Sequence, residues 1–188
     1  MLTQFTSVIT SEGLELRGGE LLRELFTRKP QWLGGNISDY DARFLAGLVN
    51  YSGARSAVEI GVASGWSSAV LLEAMRKPPS PTRVHGIDLS ARYYLDPKIP
   101  TGRAVAEATP ALAESFHLHT GRYGFDVMPE VGCVDFAFID GHHLHPWATI
   151  DLLTVLPFLS RDRWIAMHDL NLCKIERHRH TNRGPFYL

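Results

Sequence analysis

The run Val58-Glu59-Ile60-Gly61-Val62-Ala63-Ser64-Gly65-Trp66-Ser67-Ser68 leads a short apolar strand through two glycines four positions apart into a helix-forming segment. A strand, a tight glycine turn and a helix start make an edge suited to nucleotide binding. Glycine tolerates φ > 0 and close backbone approach, and the free N–H groups at the start of the helix from Trp66 carry partial positive charge that suits a carboxylate or phosphate. Glu59, at the strand end, suits a ligand with hydroxyl or ammonium donors.

The pattern is Glu-x-Gly-x-x-x-Gly, not the Gly-x-Gly-x-x-Gly of dinucleotide folds, and strand-Gly-helix turns without any ligand are common. The next strand adds weight: Arg83-Val84-His85-Gly86-Ile87-Asp88 ends in an acid where such folds hold ribose hydroxyls, although a helix cap or solvated strand end would also use Asp88.

From Ser56 onward the chain alternates, with expected strands at 56–60, 83–88, 116–120, 134–139 and 163–168 and helices at 66–76, near 101–114, near 124–130 and at 147–158. Strand after helix after strand implies right-handed βαβ units, hence an α/β, doubly wound, mostly parallel sheet of Rossmann-like type. Ahead of it, Leu21, Leu22, Leu25 and Phe26 recur at helical spacing from about Gly19 to Pro30. A second helix opens at Ser38 or Asp39 and carries Phe44, Leu45, Leu48 and Val49 on one face before Gly53. Both are expected to form a packed cover rather than a lid, and residues 1–18, with no sustained period, a loose arm. The expected organisation is one domain over 1–188, with arm and helical cover at 1–53 and the cofactor-binding core at 54–188. A chain of 188 residues with 45% apolar and 21% charged content fits one such core.

A net charge of -1 gives no electrostatic case for nucleic acid or an anionic membrane. Cys133 and Cys173 have no CxxC spacing, so neither a disulfide framework nor a thiolate zinc site is supported. Residues 1–7 lack the basic start and apolar run of a signal peptide, and no apolar segment approaches the ~20 residues needed to span a bilayer, so a cytoplasmic location is expected.

Open α/β sheets bind ligands at the C-terminal ends of their strands. There Val134-Asp135-Phe136-Ala137-Phe138-Ile139 runs into Asp140-Gly141-His142-His143-Leu144-His145, and Trp164-Ile165-Ala166-Met167 into His168-Asp169-Leu170-Asn171. Adjacent strands would set Asp140 beside Asp169, and two such carboxylates repel unless a proton or cation sits between them. A divalent metal with oxygen ligands, Mg2+ or Mn2+, suits the pair. The alternative has Asp140 capping the helix after Pro146 and Asp169 turning the chain. His142, His143 and His145 do not match a recognised zinc pattern.

With these residues the chain resembles a class I S-adenosylmethionine-dependent methyltransferase over roughly residues 38–188. Gly61-Val62-Ala63-Ser64-Gly65-Trp66-Ser67 resembles the glycine loop of the metal-dependent catechol O-methyltransferase type. The Ile139-Asp140-Gly141-x-His143 and His168-Asp169 pair is similar to macrocin O-methyltransferase-like and cephalosporin-hydroxylase-like relatives. The resemblance implies that Glu59, Gly61 and Ser67, with Ser64 and Gly65 in the same loop, border the methionine part of S-adenosylmethionine. It places the ribose at Asp88 and the adenine near Gly121 and Arg122. Asp140 and Asp169 match the metal acids, Mg2+ being implied, and His143 stands where the catechol enzymes carry their basic lysine, as general base. The implied reaction is O-methylation of a small hydroxylated acceptor.

The chain departs from the pattern in two places. Leu170 intervenes between Asp169 and Asn171, leaving the third metal ligand open, and only twenty residues, 169–188, follow the fifth strand end where relatives carry an antiparallel hairpin. The expectation is a sheet lacking that hairpin, whose fifth strand is an open edge or is covered by a partner, as in a homo-oligomer. Two other readings are a nicotinamide-dependent oxidoreductase, disfavoured by the glycine spacing, and a non-catalytic cofactor-binding or oligomerisation module.

Overall fold

The computed structural model describes residues 9–76 and 81–170, except for the side chains of residues 161 and 162. In chain order the elements are α1 (Ser11–Leu21), α2 (Arg23–Thr27), α3 (Asp39–Ser52), β1 (Ser56–Ile60), α4 (Trp66–Met75) and β2 (Arg83–Asp88). There follow β3 (Arg92–Tyr93), β4 (Asp96–Pro100), α5 (Arg103–Ala108), β5 (Phe116–Thr120), α6 (Gly124–Val131), β6 (Val134–Ile139), α7 (Trp147–Val155) and β7 (Leu159–Met167).

Strands β5, β2, β1, β6 and β7 form one sheet in that order, with every neighbouring pair parallel. The chain moves outward from β1 through β2 to β5, then returns to the other side of β1 for β6 and β7, so the order reverses between β1 and β6. Ligand crevices of open α/β sheets form at that reversal.

Strand β1 has period-two side chains on two buried faces. Val58 and Ile60 pack with Ile87, Val127, Met128 and Val155 beneath α6 and α7, while Ala57 packs with Trp66, Leu71, Leu72 and Phe136 beneath α3 and α4. Apolar burial of this kind is the main driving force for the fold. The sheet is doubly wound, as the alternation of elements implied. Every residue of α4 is buried, Ser67, Ser68 and Glu73 included, which its largely apolar sequence anticipates.

The N-terminal region differs from expectation. Residues 11–18 are helical, not a loose arm: Thr10 caps α1, its Oγ1 accepting from Gly13 N at 3.1 Å. The helix buries little more than Leu14 and Gly18, so no apolar stripe marks it. It docks on α3 by backbone contact, since a Cβ at Gly47 would lie 1.9 Å from Leu14 O and one at Gly18 1.8 Å from Arg43 O. The helix expected from Gly19 to Pro30 is divided at Leu22 between α1 and α2. Helix α3 starts at Asp39 as expected, with Ser38 and Asp41 forming a reciprocal capping box, and Gly53 closes it at φ 67°.

Elsewhere, the helix expected near 101–114 is the short α5 followed by a 3-10 segment Pro110–Ser115, because Pro110 cannot continue the hydrogen-bond ladder. The α7 helix ends at Val155, before Pro157, in another 3-10 turn. The hairpin of β3 and β4 has no counterpart in the sequence reading, and β7 begins at Leu159, four residues earlier than expected. No helix among the described residues is long and apolar enough to cross a membrane. The expected missing terminal hairpin, and Asn171, lie outside the described residues.

Candidate active site

The glycine loop after β1 is fixed by its neighbours. Gly61 N donates to Ile87 O at 2.9 Å and Asp140 N to Ile60 O at 2.9 Å, so the ends of β2, β1 and β6 continue the sheet's ladder past its last residues. Gly61 (φ 91°), Ala63 (φ 47°) and Gly65 (φ 86°) are left-handed. Asp88 holds this turn: its Oδ2 accepts from Val62 N at 3.0 Å and Ala63 N at 2.9 Å, and its Oδ1 from Ser90 N at 2.8 Å. Ser64 O and Ala63 O accept from the start of α5, which ties the loop's far side to Ala104 and Gly102.

Two cavities open at the C-terminal edge of the sheet. The first, about 580 Å³, is lined by Asp88, Ser90, Arg122, Tyr123, Trp147 and Asp151. The second, about 600 Å³, is lined by Asp41, Ser64, Ser67, His143, His168 and Asp169. Gly61, Ala63, Tyr94, Asp140 and Gly141 line both, so the cavities meet at the strand-order reversal.

An acid and imidazole cluster stands on the second cavity's side of this junction. His143 Nε2 lies 3.2 Å from Asp140 Oδ1 and its Nδ1 3.5 Å from Asp169 Oδ2. His168 Nδ1 lies 3.1 Å from Asp140 Oδ1 and 3.4 Å from Asp169 Oδ1, with its Nε2 3.5 Å from Asp41 Oδ2. The hydrogen bond to Asp140 raises His143 above the usual imidazole range despite its burial. Burial alone would lower His168, but its hydrogen bonds to Asp140 and Asp169 outweigh that and push it up to about 11. Asp140, His143 and Asp169 each offer one ligand atom, all within 4.8 Å of one another, a donor set that fits a divalent cation.

The other expected site residues are placed as follows. Asp88 and Arg122 line the first cavity, Ser64 and Ser67 the second, and Gly61 both. Gly65 caps α4, and a Cβ there would meet Gly102 Cα at 2.7 Å. Gly121 (φ 71°) turns the chain after β5, donating to Asp88 O at 2.9 Å. Arg122 is held by Glu130 at 2.6 and 2.8 Å. Glu59 lines neither cavity: it is fully buried beneath the first turn of α4, takes a hydrogen bond from Ser68 Oγ, and leaves Oε1 without a partner.

Burial pushes the Glu59 carboxyl up to about 8, against the hydroxyls of Ser67 and Ser68, which favour its charged form. An acid raised on folding contributes its full stability below the unfolded value of 4.5 and loses it progressively as pH rises through 8. Glu59→Gln, which keeps the neutral shape, is therefore expected to gain on the order of 1 kcal/mol on wild type between pH 7 and 9. Denaturant unfolding at both pH values measures it, and a gap that does not change with pH would contradict the buried protonated acid.

Two site residues escaped the sequence reading. Asp41 reaches His168 from the N-terminal cover, whose helix seemed only to pack; its role in the capping box hid it. Asp151 faces the first cavity from α7, where burial raises its carboxyl to about 6, and its signal was a lone acid inside the apolar run Ile150-Asp151-Leu152-Leu153.

Residues 58–170 match a family described as a methyltransferase domain. No curated protein matches the chain. Among solved structures, an O-methyltransferase from Streptomyces achromogenes involved in tomaymycin synthesis, in complex with SAM, is 19% identical with a TM-score of 0.63, covering 98% of this chain and 76% of its own. An O-methyltransferase from Bacillus cereus in complex with SAH is 20% identical with a TM-score of 0.60, covering 89% and 69%. A SAH-bound methyltransferase from Podospora anserina is 16% identical with a TM-score of 0.57, covering 91% and 72%. At these identities the solved structures speak for the fold, and the match over 58–170 for the lineage: the chain belongs to the methyltransferase-domain family, on the class I S-adenosylmethionine-dependent fold.

Proposed function

We propose that this chain transfers a methyl group from S-adenosylmethionine to a hydroxyl oxygen of a small hydroxylated acceptor. The observation that carries the reading is the meeting of two cavities at Gly61, Asp140 and Gly141, with the acid and imidazole cluster at their junction. The first cavity, lined by Asp88 at the end of β2 and Arg122 after β5, with Gly121 turning the chain beside them, suits the ribose and adenine. Ser64 and Ser67, on the second cavity's wall at the start of α4, suit the methionine carboxylate. A methyl delivered at the junction meets an acceptor held in the second cavity, and the protein's task is to align the two.

A divalent cation, Mg2+ in this reading, would be held by Asp140 and Asp169 and would lower the acceptor hydroxyl's pKa while orienting it. His143 takes the acceptor's proton at Nδ1, while its Nε2–H donates to Asp140 at 3.2 Å and so stabilises the imidazolium formed. When no cation is bound, His168, between Asp140, Asp169 and Asp41, keeps the acids from repelling one another. The described residues act as one domain in this reading, with the helices ahead of residue 54 as cover, and the unremarkable cysteine spacing supports a cytoplasmic location.

Calorimetric titration with S-adenosylhomocysteine and, separately, with NAD tests the cofactor. Saturable binding of the first and none of the second is the expected result, followed by turnover with a catechol. Binding of NAD in preference would move the chain to hydride transfer, and S-adenosylhomocysteine binding without turnover on any hydroxylated acceptor would leave a cofactor-binding module.

A further inference from the structure

We propose that His85, His117 and His119 form a separate site for a divalent cation that prefers nitrogen ligands, of the Zn2+ class, on the β2–β5 edge of the sheet. His85 pairs with His117 across the two strands, and His119 follows two residues later, so the period of two puts all three side chains on one face. His85 Nδ1 and His119 Nε2 already face each other at 3.2 Å. Two imidazole nitrogens each ~2.0–2.1 Å from a tetrahedral ion stand about 3.3–3.4 Å apart, so this pair has close to the required span. The His117 ring stacks on His85 with centroids 5.0 Å apart and planes inclined by 25°. His117 is exposed and its nitrogens do not yet reach the point that His85 and His119 share; a side-chain rotation would bring one in as the third ligand and leave the fourth position to water.

The ligand set differs in kind from that of Asp140 and Asp169. Imidazole nitrogen suits zinc, copper and nickel, whereas magnesium and calcium take oxygen. Burial, then the neighbouring His117 and His119, holds His85 down at about 4, and burial with Arg122 lowers His119, so both are neutral ligands near pH 7. Two cations act on the site: Arg83, exposed to solvent, and Arg122, whose charge is offset by its pair with Glu130. A bound ion would cross-link the edge strand β5 to β2 through side chains, below the ends that carry Asp88 and Arg122 into the first cavity.

Zinc competition against a chromophoric chelator, on the full chain, tests the site. Wild type is expected to take up one equivalent more than the His117→Gln/His119→Gln variant, and Asp140→Asn to retain that equivalent. Equal uptake by wild type and the double variant overturns the proposal. Should the double variant melt differently from wild type without zinc, the side-chain nitrogen resonances of the wild-type histidines decide. Zinc that shifts those of His85 and His119 supports the site, and zinc that leaves them unmoved overturns it.

Discussion

Gly61→Ala is expected to destabilise the protein by about 2–5 kcal/mol, combining left-handed backbone strain with an overpacked contact. A Cβ at position 61 would stand 2.2 Å from Asp140 O and 2.6 Å from Gly141 Cα, both backbone atoms that no side-chain rotation moves. Its φ of 91° is also one that an L-residue avoids. The space above Gly61 is thus occupied by the turn after β6, so the glycine is needed for this chain-to-chain approach. To fit the methyl group, the Asp140-Gly141 turn has to lift away from β1, which spoils the junction of the two cavities. Denaturant unfolding and S-adenosylhomocysteine titration together measure the effect. A variant with wild-type stability and affinity would mean that β1 and the turn after β6 are not in contact.

The parallel core was legible because each of its features is local: an apolar strand, a glycine turn and a helix recur with short connections, and the handedness of βαβ units then fixes the layers. Asp140 and Asp169 were legible for the same reason, as acids at the ends of β6 and β7. What stayed hidden depends on contact between distant segments. Helix α1 has no apolar stripe because glycines let its backbone rest on α3. Asp41 reads as a capping residue until α3 is set over the sheet, when its carboxylate meets His168. The histidines of β2 and β5 are 32 residues or more apart in sequence and become a cluster only through the register of the two strands. Glu59 shows the converse: its place at the strand end suggests ligand contact, yet it lies fully buried beneath the first turn of α4, where Ser68 donates to it and burial raises its carboxyl.

His143→Ala is expected to lower kcat by about 10²–10⁴-fold, the usual worth of a general base, with S-adenosylhomocysteine affinity unchanged because the proposed cofactor contacts at Asp88, Ser64 and Ser67 do not include it. The pH profile separates this role from a merely structural one. A base must be neutral to act, and Asp140 raises His143 above the usual imidazole range, so the wild-type rate should climb with pH through a midpoint above 6.5. The variant should lose that limb. Full activity in the variant would pass the base role to His142 or His145. The same cluster decides whether a cation is needed, because two carboxylates are already faced by two imidazoles, one of them held protonated near neutral pH. If a divalent ion supplies the positive charge, excess chelator abolishes turnover and added Mg2+ restores it. If the His168 imidazolium suffices, turnover survives the chelator and falls instead in His168→Ala, where Asp140 and Asp169 face each other without their partner.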